Sequence, residues 1–294
     1  MSKKMQDKNY KLGIPSRKEI NFNYVNKYFN MFMSRYEWKG DISEEAEYFI
    51  MKEFWSEGKI AAFSSKVGDI LAFAQFIPST YNLYDYPVTA TLINERGSQL
   101  VPNGIQKVDV DVVLGYAQKN HKSVYSMLEF FIRRIVDVEM TIRTNLISMK
   151  TPWLVATSGD DTATVKKLQN DLINDEDTLF IPFNDPNSVR ALVSGAPYII
   201  DKLYAYKQAL ENEILTYLGI DNLGAQEKKE HLITTEVEVN NDIIKQSGDA
   251  FLEMFQDFCK KIKEILGHDI SVYSKGDKDG EDTEEVVQEE EQNE

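Results

Sequence analysis

The stretch APYIIDKLYAYKQALENEILTYLG, residues 196–219, decides the fold. Ile199, Leu203, Tyr206, Leu210, Ile214 and Tyr217 recur at steps of three and four, which places them along one side of a helix. Pro197 near its start and Gly219 just past its end fit the proline-first, glycine-last asymmetry of helices. So long an apolar side needs an equally long partner to cover it. The partner stands upstream, where Val124, Leu128, Phe131, Ile135, Val138, Ile142 and Leu146 form a near-heptad stripe from His121 onward, ended by Pro152. Between the two, TPWLVATS reads as a strand, residues 162–172 as a helix, TLFIPF as a second strand, and Asp185-Pro186 as the start of a short helix stopped by Gly195. The long helices are therefore expected to lie antiparallel as a hairpin with a small α/β insert at its tip.

Downstream, GIDNLGAQEKKEHLITTEVEVNNDIIKQSG, residues 219–248, shows no helical stripe and reads as a long polar connector carrying one lysine pair, Lys228 and Lys229. Phe251 to Leu266 then forms an amphipathic helix closed by Gly267. Upstream, Ser16-Arg-Lys-Glu19 fits a capping box, and Phe22, Val25, Phe29, Phe32, Met33 and Tyr36 continue it as a helix to about Glu37. A second helix runs from Ser43 to about Ser56, with Gly58 closing it. The runs KIAAFS, DILAFAQFI, PVTATLI and QKVDVDVVL follow, separated by turn signals, and predict a small antiparallel sheet or barrel. Asp109 and Asp111 are expected on the polar outer face of its last strand.

Charge is uneven along the 294 residues. The whole chain carries −15, but residues 276–294 hold ten acids and one lysine, which leaves only −6 for the rest. Lys3, Lys4, Lys8, Lys11, Arg17 and Lys18 face only Asp7 and make the first 18 residues a basic arm. No apolar run is long enough to span a bilayer, and MSKKMQDKNYK has no apolar core of a signal peptide, so synthesis in the cytoplasm and no membrane partner are expected. The single cysteine, Cys259, sits on an apolar helix side and reads as a small core hydrophobe. His121, His231 and His268 are scattered, no phosphate-cradling G-x-x-x-x-G-K-[ST] or G-x-S-x-G occurs, and neither a metal, a cofactor nor an enzymatic activity is expected.

The segments APYIIDKL at 196–203, TYLGI at 216–220, EKKE at 227–230 and the polar stretch ending in Ser247-Gly248 together resemble the connector proteins of small short-tailed bacteriophages, also called upper collar or portal proteins. The helix at 121–148 and Lys150-Thr151-Pro152 agree with that family in type and order, whereas residues 1–119 match mainly in element order. The resemblance implies an α+β, mainly α portal fold: a flexible arm (1–18), a wing with a small β-barrel (19–119), a stem helix (120–148), an α/β clip (149–196), a second stem helix (197–219), a channel loop (220–248), a C-terminal wing or crown helix (249–275) and a disordered acidic tail (276–294). It implies a homo-dodecameric ring at one capsid vertex, in the virion neck, through which double-stranded DNA is packaged, held and ejected. Its implied partners are capsid protein, a separate packaging ATPase with or without an RNA, and lower collar or tail proteins.

On the same resemblance, Lys202 falls on a channel lysine and Lys228 with Lys229 on a channel-loop lysine pair, while Val193 stands where a further channel lysine is expected and Lys207 supplies charge nearby. The arm lysines would meet nucleic acid or motor, and Leu128, Phe131, Ile135, Ile142, Leu203, Leu210 and Ile214 would join subunits along the stem. Asp201, Glu211 and Glu213 would keep the wall from gripping a moving duplex. Two other readings compete: a collar or tail scaffold that binds only protein, and a nucleic-acid-binding regulator, which lacks any base-reading motif here.

Overall fold

Apolar periodicity and turn chemistry place most elements where the sequence puts them, and the departures have identifiable causes. The computed structural model describes residues 15–65, 68–94, 97–150, 153–157, 189–193, 197–222 and 234–275. Lys3, Lys4, Lys8, Lys11, Lys228, Lys229, the expected helix at 162–172, the strand TLFIPF and the tail from 276 lie outside them. The chain divides into two compact units, 18–132 with 212–294 and 1–17 with 133–211.

In the larger unit, helix α1 (Arg17–Arg35) leads into strand β1 (Tyr36–Gly40), followed by α2 (Glu44–Ser56). The expected helix to Glu37 therefore stops short, because Tyr36 and Trp38 enter a strand paired antiparallel with β10 (Ile270–Ser274), Trp38 opposite Val272. Ser43 caps α2 by accepting from the Ala46 N–H at 3.2 Å. Strands β2 (Lys59–Ser64), β3 (Leu71–Ala74), β4 (Phe76–Tyr81), β5 (Pro87–Leu92), β6 (Ile105–Lys107) and β7 (Val112–Tyr116) follow. They form two three-stranded antiparallel sheets, ordered β3-β2-β7 and β4-β5-β6, and no closed barrel among the described residues.

The run DILAFAQFI divides at Gln75, whose carbonyl still accepts from the Ile93 N–H at 2.8 Å while its side-chain amide donates to the buried Glu53 carboxylate at 2.7 Å. QKVDVDVVL splits as well. Asp109 adopts a positive φ of 58°, its N–H donates to the Val112 carbonyl, and the Asp111 carboxylate accepts from the Lys107 N–H at 2.9 Å. The two aspartates thus build a turn between β6 and β7 rather than line one strand face. Asp and Asn tolerate that conformation and bond their own backbone, so the period-two pattern concealed a turn.

Ala61, Phe63, Ala74, Phe76, Ala90, Leu92, Val112 and Leu114 fill the space between the sheets. The other face of β2 and β7 meets helix α5 (Thr234–Leu266), and so closely that a Cβ on Gly115 would stand 2.7 Å from the Phe258 ring. A sheet buried on both faces reads as a continuous apolar run, which is the pattern of KIAAFS. An aromatic core joins the helices: Phe54 stacks on Phe255 at 4.8 Å, and Phe32, Tyr36 and Phe251 pack edge-on around it. Phe22, expected in the stripe of α1, is exposed, whereas Tyr28 and Phe32 are fully buried.

Helix α5 overturns the polar connector over 234–248, which is helical and continuous with the expected last helix. Its polar, β-branched sequence has weak helix propensity, so position rather than propensity holds it. Ile244 and Gly248 are buried, and Asn240 donates to Asn222, which donates to Thr216 at 2.9 Å.

Helices α3 (Val124–Lys150) and α4 (Ile200–Leu218) are the expected long pair. Ser123 caps α3 by accepting from the Ser126 N–H, and α4 begins at Ile200 rather than Pro197, with the Ile199 carbonyl taking its first helical bond. In the smaller unit the pair runs antiparallel: Asn145 donates to the Pro197 carbonyl at 2.8 Å, while Glu139 meets Lys207 farther along. Strand β8 (Trp153–Thr157) confirms TPWLVATS, but its partner is β9 (Val189–Val193), Trp153 opposite Val193. The short helix expected from Asp185 to Gly195 is therefore replaced by a strand over VRALV, whose valines suit a ladder better than a helix.

Candidate nucleic-acid interface

The helical pair of the smaller unit gathers the described lysines that the sequence singled out. Lys202 and Tyr206 stand four residues apart on one side of α4, and Tyr198 lies just before its first turn. All three are exposed, and Lys202 makes no ion pair with a described residue. The Tyr198 hydroxyl donates to the Asp201 carboxylate at 2.8 Å, and that bond pushes the phenol above its usual range.

Lys207 differs. Its ammonium lies 2.6 Å from the Glu139 carboxylate with only 17% of the side chain accessible, and it sits 5.8 Å from the Tyr204 ring. Its charge is neutralised inside the helix pair, so it ties α3 to α4 instead of offering a cation to solvent. Arg134 covers the Tyr206 ring at 5.5 Å, a stacking contact that steadies the tyrosine beside Lys202. Neither Glu139 nor Arg134 stood out in the sequence, although each occupies a polar position of a helix whose apolar side was legible.

The stem stripe proposed to join subunits is largely covered within one chain. Leu128, Ile135 and Ile214 have no exposed surface and Leu210 almost none, while Phe131, Ile142 and Leu203 are half-buried. Within the single chain, Leu128, Ile135, Leu210 and Ile214 are core side chains. The apolar side chains that α3 does expose are Met127, Phe130, Leu146 and Met149. Of the arm, Arg17 is ion-paired with Asp137 and Lys18 is exposed at the start of α1.

One constellation imitates catalytic chemistry. Ser64 Oγ lies 3.2 Å from His268 Nε2 and donates to Asp69 Oδ1 at 2.5 Å. A nucleophile needs the imidazole to take its proton and the carboxylate to orient the imidazole. Here the carboxylate takes the serine proton, which leaves the histidine no role as base. No cluster of three or more metal-ligating side chains occurs among the described residues, and no helix among them is long and apolar enough to cross a membrane.

Comparison with known proteins yields a family match over residues 11–278, to the family described as Phage Connector (GP10). A solved structure, "Portal and tail of native bacteriophage P68", is similar at a TM-score of 0.46 and 12% identity, over 93% of this chain and 90% of that one.

Proposed function

The chain belongs to the phage connector family, structural proteins of the virion, and from that premise we propose that it forms the portal ring through which double-stranded DNA is packaged, retained and ejected. The match over residues 11–278 carries this reading, because it spans nearly the whole chain rather than one element. In the proposal twelve copies occupy one capsid vertex, with capsid protein around them and a separate ATPase and the tail attached in turn, after assembly in the host cytoplasm.

The side of α4 bearing Lys202 and Tyr206 faces the duplex, with Lys228 and Lys229 on the segment after that helix as a second contact. A single unpaired lysine per subunit at this level suits the task. Each stable phosphate contact adds non-specific affinity, and a densely basic lining would hold a duplex that has to slide. The neutralised Lys207 and the expected Val193 in place of a lysine keep the lining sparse.

Negative-stain microscopy of the purified chain tests the ring: closed rings with a central hole of duplex width are expected, and monomers or small oligomers without a hole defeat the reading. The channel is tested by packaging in vitro, where Lys228→Gln with Lys229→Gln should leave rings and initiation intact but release DNA as internal pressure builds. Full retention by that double variant would favour a collar scaffold that binds only protein.

A further inference from the structure

A cleft of about 630 Å3 in the larger unit lies between the end of α1, the turn after α4, helix α5 and the end of β10. Its walls include Arg35, Asp221, Lys245, Asp249 and Lys275. The Arg35 guanidinium occupies a slot that two glycines leave open: a Cβ on Gly248 would overlap it, and one on Gly219 would stand 3.0 Å from its Cζ. Its Nε is buried and has no hydrogen-bond partner. Lys245 and Lys275 are exposed and form no ion pair with a described residue. With Asp221 and Asp249 opposing them, the cleft keeps a net positive charge on a chain whose total is −15.

The chain leaves this cleft at Lys275 and continues for nineteen residues that hold ten carboxylates. We propose that the cleft is the docking site of the chain's own acidic C-terminal segment, with Asp277, Asp279, Glu281 and Asp282 supplying carboxylates to Arg35 and Lys245. A guanidinium fork matches a carboxylate in shape and can donate two bonds at once. Reach is no obstacle, since each residue spans up to about 3.5 Å. Tethering at the rim makes the contact intramolecular, with an effective concentration of millimolar order. A DNA phosphate offers the same accepting chemistry but has to arrive from solution against a negative protein, so the tethered carboxylates hold the site until nucleic acid is abundant. The docked segment and the duplex contacts at Lys202 are separate sites, and either stands without the other.

Zero-length carbodiimide coupling of the full-length protein tests the docking, because it joins only an amine and a carboxylate already in contact. Lys245 linked to a carboxylate between Asp277 and Asp282 is expected by peptide mass mapping. The yield should fall several-fold at high salt and on replacing the four acids by their amides. Lys245 linked only to Asp221 or Asp249, or not linked at all, overturns the proposal. A Glu-specific protease gives an independent measure: cleavage at Glu281 should be several-fold faster in Lys245→Gln, whose exposed position leaves folding intact, and unchanged cleavage counts against docking. If duplex DNA shields Lys245 from an amine reagent equally in wild type and in the tail-neutralised variant, phosphate rather than the tail owns the cleft, and the proposal fails.

Discussion

Lys202 and Lys207 stand five residues apart on one helix, and only their surroundings separate their roles. Lys207→Gln removes one partner of a largely covered ion pair between the two helices, so we expect a loss of about 1–3 kcal/mol of stability, read by chemical denaturation, with little change in DNA binding. Lys202→Gln should leave stability unchanged and lower the salt dependence of ring–duplex affinity, read as a shallower slope of log affinity against log salt. The sequence treated the two alike because an ion pair between helices joins residues far apart in the chain. Burial also sets the behaviour of Cys259, whose thiol is pushed up to about 12, and of Tyr116 and Tyr217, each raised to about 12 chiefly by desolvation. For all three the folded state holds the proton more tightly than the unfolded chain. Their contribution is therefore complete below the unfolded values near 9 and 10 and is lost as pH rises toward 12. Denaturation midpoints should fall between about pH 8 and about pH 11, and native Cys259 should resist a thiol reagent that labels the unfolded chain.

At the scale of elements, the long helices were legible because a 3.6-residue stripe survives any amount of surface variation. The β1–β10 pair was not, since five-residue strands closing a sheet across most of the chain carry no local period of their own. That pairing has an energetic consequence: Val272→Asp would bury a charge opposite Trp38 and should lower stability by about 3 kcal/mol or more, seen as a fall in melting temperature. Helix α5 changes what a loop deletion can test. Removing 226–247 would take fourteen helical residues, including the buried Ile244, and is expected to destabilise the fold. Removing only 224–233 spares α5, and its melting temperature should stay close to wild type. Equal melting of the two deletions would contradict the packing of this part of α5.

For the whole molecule, the burial of the apolar stripe on α3 and α4 decides what a single substitution can test. Ile135 has no exposed surface in a single chain, so Ile135→Asp should unfold the protein before any subunit interface is touched. Circular dichroism with sedimentation distinguishes the cases: loss of helical signal is expected, whereas small, fully folded species would restore Ile135 to a subunit interface. By itself the sequence determined the two long helices, their antiparallel pairing, the strand-rich segment before them and the family, because each rests on local periodicity, turn chemistry or contiguous motifs. Only the tertiary structure decided which lysine is neutralised, that the polar stretch over 234–248 is helical, that Asp109 and Asp111 make a turn, and that two open sheets stand where a barrel was expected. Apart from the Asp109–Asp111 turn, whose bonds are local, those outcomes depend on partners distant in sequence, such as Glu139 for Lys207 and Asn222 for Asn240, and no local pattern encodes such a partner.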